Sequence, residues 1–157
     1  MKDLSYSIPG SDQILFIELV VLEHLMLYQQ LSDTDREAGG QLFGYFDQNT
    51  VVISVVTDPK PNDLRSRFSF IPNRRAERRE IERMHSANLH FIGDWHTHPE
   101  PRPVPSSRDI RTMNDLFTRS THQLGAMVML IVGQEDPPMG LHVSICDSAS
   151  CRQLHSS

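Results

Sequence analysis

No run of about 20 apolar residues, the length a helix needs to cross a bilayer, occurs in this chain. The longest candidate, Ile14 to Leu27, is broken by Glu18, Glu23 and His24. The opening MKDLSYSIPGSDQ lacks a basic segment followed by an apolar core, so the reading predicts no secretory signal, no membrane partner and a cytoplasmic location. Positive charge is also in short supply. The formal net charge is −5, which argues against a general nucleic-acid binder and predicts no nucleic-acid partner. Cysteine occurs only twice, at Cys146 and Cys151. With no third or fourth thiol and no matched histidine set, they do not make a zinc pair. A bridge between them would close only a short loop, and the expectation is free thiols in a reducing cytoplasm. The chain has no HExxH, so helical zincin chemistry is excluded.

At 157 residues the chain is long enough for one domain with a real core, and neither a repeat nor an interdomain linker interrupts it. Apolar patterning predicts a strand at 13–17 and a helix over Glu18 to Leu31. A strand over 37–46, entered through Gly39 and Gly40, turns near Asn49 into a return strand at 51–56. The two glycines mark a place where backbone turns or comes close to something. The segment 57–63 reads as a loop, Phe68-Ser69-Phe70 as a short strand, and 73–87 as a helix with Ile81 and Met84 buried. That helix interleaves five arginines with Glu77, Glu80 and Glu82, a pattern read as a solvated face with i,i+4 pairs rather than an RNA-facing stripe. Strands at 90–98, 125–133 and 141–146, a helix at 107–118, a turn at 136–140 and a frayed C-terminus that includes His155 complete the reading. Residues 1–157 are thus one domain, its core about 13–146, of the α/β class with a mixed, mainly antiparallel sheet flanked by helices.

Chemistry concentrates in Asp94-Trp95-His96-Thr97-His98-Pro99, running on to Ser106 and Asp109. Histidines at i and i+2 of a strand share a face, their Cα atoms roughly 6.5 Å apart, so both rings can converge on one ion. Pro99 ends the strand, and Asp109 sits in the first turn of the following helix. Two imidazoles and one carboxylate are a mixed N/O set that suits zinc and leaves a fourth position for water. Each piece has a plainer reading. His96 and His98 could be ordinary strand residues, and Ser106 with Asp109 fits a helix capping box. Their arrival together favours a metal. The base for hydrolysis would then come from elsewhere, and Glu37, just ahead of the Gly-Gly entry, is the candidate. Asp94, on the histidine face, is a candidate partner for the ligands. Trp95 and Thr97 face the core.

Glu37 followed by His96-x-His98-x7-Ser106-x2-Asp109 resembles the full JAMM signature of the JAB/MPN+ metalloproteases, in the context Glu-x-Gly-Gly-x-Leu-x-Gly. The string from Gly93 to Glu100, with Pro103 and Pro105, resembles the stand-alone JAB peptidases of CBASS antiphage operons, and the segments Thr57-Asp58-Pro59 and Asp63 to Phe70 are similar to that branch as well. The resemblance implies a cytidine-deaminase-like JAB/MPN fold and a zinc-dependent isopeptidase. In it His96, His98 and Asp109 would hold one Zn2+, Glu37 would be the general acid/base, and Ser106 would support the oxyanion. It further implies reversal of a ubiquitin-like conjugation, with cleavage at the C-terminus of a cGAS-like nucleotidyltransferase that E1/E2-like proteins have joined to a target. The substrate tail is expected to lie extended near the loop Asp58 to Arg67. Two other readings stay open: a JAB peptidase that processes a ubiquitin-like sulfur carrier, and a non-catalytic MPN interaction module.

Overall fold

The computed structural model describes residues 1–120 and 125–157. Ten strands and three helices are assigned among them: β1 (Leu4–Ser7), β2 (Ile14–Ile17), α1 (Leu19–Met26), β3 (Gly39–Asp47), β4 (Thr50–Val56), β5 (Leu64–Ser66), β6 (Ser69–Ile71), α2 (Arg74–Ser86), β7 (His90–Thr97), α3 (Ser107–Arg119), β8 (Met127–Val132), β9 (Leu141–Cys146) and β10 (Cys151–Gln153). Eight strands form one sheet in the order β1-β2-β4-β3-β7-β8-β9-β10, and β5 and β6 form a separate hairpin. Only β2 with β4 and β7 with β8 pair in parallel. The α/β class and the mainly antiparallel sheet flanked by helices are therefore as the sequence implies.

Strand β8 is apolar throughout because both of its faces are covered. Val128, Leu130 and Val132 join the larger core with Val21, Leu22 and Leu25 of α1. The alternate residues Met127, Met129 and Ile131 join a second cluster with Met113 of α3. A period of two thus splits one hydrophobic run between two cores. In β7 an extra residue, Ile92, interrupts the register with β3. This bulge sends Phe91 to the second cluster and Ile92 with Trp95 to the first.

Several expectations need correction. Helix α1 stops at Met26, not Leu31, and Leu27 is 77% exposed. The chain leaves the helix so that the buried Gln30 amide can donate to the Asp35 and Arg67 carbonyls and accept from the Thr97 hydroxyl. In α2, Met84 is buried but Ile81 only partly so; Glu77 takes the other inward position. The C-terminus is not frayed. Strand β10 pairs with β9, Leu154 is buried, and the Ser157 N–H donates to the Ser5 carbonyl at 2.8 Å. Ser156 bridges Tyr6, so the tail joins the two edges of a curled sheet, and Leu4 and Tyr6 of β1 belong to the core as well. Cys146 and Cys151 are joined in a disulfide rather than free. They stand directly opposite each other across the β9–β10 hairpin, a juxtaposition that cross-strand register creates and spacing alone does not reveal.

Candidate metal centre

Strand β7 delivers His96 and His98 to one face, and Trp95 and Thr97 to the other, where both are buried. The two Nε2 atoms lie 3.2 Å apart. Helix α3 supplies the third group. Ser106 caps it, its hydroxyl accepting from the Asp109 N–H at 3.0 Å, while the Asp109 carboxylate accepts from the Ser106 N–H at 2.8 Å. The same carboxylate reaches His96 Nε2 at 3.3 Å and His98 Nε2 at 3.2 Å. The capping box and the metal reading are one structure, since the cap orients the carboxylate that faces the imidazoles.

Glu37 approaches from the entry to β3. Its own backbone is clamped by the β5–β6 hairpin, its N–H donating to the Ser66 carbonyl and its carbonyl accepting from Arg65 Nε, each at 2.7 Å. The two glycines that follow make room. A Cβ on Gly39 would stand 2.7 Å from the Phe70 ring, and one on Gly40 would stand 2.2 Å from the Thr57 carbonyl oxygen. One donor atom each from Glu37, His96 and His98 fall within 4.8 Å of one another.

Four candidate donors therefore surround one point, and their charge states separate them. Burial would raise the Asp109 carboxyl, but the hydrogen bonds and charges of His96 and His98 hold it far below the usual carboxylate range. Glu37, 4% exposed, is pushed up to about 7 by burial; His98 and Arg108 oppose the rise and Asp109 adds to it. Asp109 is thus the committed anion and Glu37 the group that exchanges a proton near neutrality. The donor spacings also fit a metal. Ligand bonds of 2.0–2.2 Å in a tetrahedron put donor atoms about 3.4 Å apart, close to the 3.2 Å between the two imidazole Nε2 atoms, while Asp109 faces His96 with Oδ1 and His98 with Oδ2.

Residues 20–145 match the family model described as prokaryotic homologs of the JAB domain. The chain belongs to that family. The JAB domain is 31% identical over 135 residues to a Vibrio cholerae protein named CD-NTase/cGAS isopeptidase, covering 80% of each chain. It is 34% identical over 103 residues to a Sinorhizobium fredii protein named a probable metalloprotease, covering 62% of this chain and 63% of that one. Its fold is similar to the solution structure of a Desulfitobacterium hafniense protein, with a TM-score of 0.62 at 18% identity over 87% of both chains.

The centre of the JAB domain opens into a cleft of about 430 Å³. Phe68 and Phe70 of the hairpin, Arg108 and Thr112 of α3, and the five residues Glu37, His96, His98, Ser106 and Asp109 all line it. Asp94 lines it too, but not as the partner of a ligand. It faces α2, 3.7 Å from Arg74, which ion-pairs with the buried Glu77 at 2.7 Å. Burial and Glu77 push the Asp94 carboxyl up. The carboxylate that serves His98 is Glu100, whose Oε1 lies 2.8 Å from its Nδ1. Sequence reasoning passed over Glu100 because the turn at Pro99 hides which way the next side chain points. Its only local signal is a carboxylate two residues from a ligand. Arg65 and Arg108 were missed as well, since their roles depend on contacts distant in sequence.

Proposed function

We propose that the JAB domain is a zinc-dependent peptidase of the isopeptidase type. In this reading it cuts the bond between the C-terminus of a protein modifier and its target. One observation carries the reading: two imidazoles and an ionised carboxylate converge within 3.3 Å, with a buried carboxyl of near-neutral pKa beside them. His96, His98 and Asp109 would hold the ion, a donor set that favours zinc. When bound, zinc polarises the scissile carbonyl and lowers the pKa of water towards roughly 7.

The remaining work falls to the chain. Glu37, buried beside the two imidazoles, takes the proton of the attacking water and returns it to the leaving nitrogen. The Ser106 hydroxyl accepts from the Asp109 N–H, so its own proton is left to donate to the developing oxyanion. Phe68 and Phe70 wall the cleft where an extended tail would enter. The names of the relatives support a cGAS-like nucleotidyltransferase as the modifier and CBASS antiphage defence as the setting. E1/E2-like proteins would make the conjugate that this enzyme removes. The proposed site of action is the cytoplasm; among the described residues no helix is long and apolar enough to cross a membrane. The Cys146–Cys151 bridge does not line the cleft.

The test is to incubate the protein with a cGAS-like nucleotidyltransferase carrying a reporter at its C-terminus, with and without a chelator. Release should stop with chelator and return with zinc. Glu37→Gln should keep its metal and lose roughly 10²–10⁴-fold in rate. Chelator-insensitive release, or wild-type cleavage by Glu37→Gln, would overturn the assignment.

A further inference from the structure

The charges of this chain are not evenly spread. Residues 60–119, which carry the β5–β6 hairpin, α2, β7 and α3, hold twelve Lys/Arg against eight Asp/Glu. The rest of the chain holds three against twelve. The elements that frame the cleft are thus net positive, and the remainder is strongly negative.

The sequence pattern of α2 suggests that its arginines are neutralised by the interleaved glutamates. The structure pairs only two of them, Arg74 with Glu77 inside the cleft and Arg83 with Glu80. Arg75, Arg78 and Arg79 are exposed and, among the described residues, have no ion pair or hydrogen bond. Across the cleft on α3, Arg108 and Arg111 are likewise exposed and unpaired. Arg74 lines the cleft and Arg75 is the next residue outward, while Arg108 lines it from the other helix. Between them the hairpin presents Phe68, 76% exposed, with Leu64 and Ile71 also exposed. Arginine beside an exposed aromatic is the composition of a protein-binding surface rather than of a solvated face.

We infer that this arginine-rich rim docks an acidic protein surface: the folded body of the substrate whose C-terminal tail enters the cleft. The inference rests on the isopeptidase reading for the tail, but its charge argument is independent of the chemistry. Guanidinium groups suit carboxylates through paired N–H donors. A compact acidic partner seated over α2 and α3 meets a net positive surface. A long nucleic acid would run on past it to the negative remainder, and the apolar hairpin gives it no complement. Such a surface raises the rate of encounter and is screened by salt, with a reach near 8 Å at physiological ionic strength.

The experiment uses the full chain, two probes and the triple variant Arg75→Ser, Arg78→Ser, Arg79→Ser, with circular dichroism to check that α2 is kept. One probe is a cGAS-like nucleotidyltransferase with a C-terminal reporter; the other is a peptide of its tail alone. Binding of the folded probe, read by fluorescence anisotropy, should weaken roughly tenfold in the triple variant at low salt. It should also weaken with salt for the wild type and only slightly for the variant. KM for the folded conjugate should rise, with kcat and tail-peptide cleavage unchanged. Equal binding by wild type and variant, or no binding of the folded probe at all, would overturn the docking surface. Tighter binding of a labelled DNA or RNA duplex that the triple variant loses would overturn it in favour of a nucleic-acid site. Failure of the wild type to cleave either probe counts against the isopeptidase reading instead, and the anisotropy arm still decides the surface.

Discussion

At the residue scale, a carboxylate on the far nitrogen of an imidazole fixes which nitrogen carries the proton. Glu100 accepts from His98 Nδ1–H at 2.8 Å, a tautomer that frees the Nε2 lone pair for an ion. Glu100→Ala should therefore lower zinc affinity 10–100-fold, measured by competition with a metal buffer. The glutamine variant, which still accepts the bond, should lose less. Unaltered affinity in both would remove Glu100 from the centre. Tyr6 offers a second case, remote from the cleft. It is 3% exposed, its hydroxyl has no hydrogen-bond partner among the described residues, and burial pushes its pKa up to about 12. The folded state thus keeps the proton that the unfolded chain releases near pH 10, so stability present below pH 10 is lost as pH rises towards 12. Tyr6→Phe should be neutral or stabilising by up to about 1 kcal/mol at pH 7. Its advantage should widen between pH 10 and 12 in urea melts, and a fixed difference across that range would contradict the burial argument.

At the element scale the β5–β6 hairpin has two separable jobs. Arg65 and Ser66 of β5 clamp the Glu37 backbone, while Phe68, in the turn that follows, stands exposed and lines the cleft. Removing the whole segment from Asp58 to Arg67 would confuse the two, because it also frees the proposed base. Point changes keep them apart. Phe68→Ala should raise KM for a conjugated substrate several-fold and leave kcat alone. Arg65→Ala should lower kcat more than it raises KM, since Glu37 loses the bond that aims it. Identical effects from both variants would mean that the hairpin acts as one body. The three residues of β5 escape a pattern-based reading for a clear reason. The strand is three residues long, mixed in composition and mostly exposed, so its partner across the turn, not its pattern, makes it a strand.

For the molecule as a whole, the C-terminal tail closes the sheet. Leu154 is 3% exposed in the same core as Tyr6 and Leu4, and the last residues bond back to β1. Leu154→Ala should cost about 2–5 kcal/mol, which at 2–4 °C per kcal/mol for a domain of this size is a visible loss in Tm. Melting at the wild-type temperature would return the tail to the frayed state that its polar composition suggests. The histidine pair, the capping box and the buried apolar run of β8 were legible in the sequence. Each is a short-range pattern set by strand period or helix-start geometry, and needs no knowledge of distant contacts. The resemblance of Glu37 and its glycines to a known signature added the far-upstream acid. What composition could not show depends on which segments lie side by side: the Cys146–Cys151 bridge, Glu100 rather than Asp94 on the imidazole, the arginines left without glutamates, and the tail sealing the sheet. Cross-strand register and turn direction decide those, and both are properties of packing between segments remote in sequence rather than of any one of them.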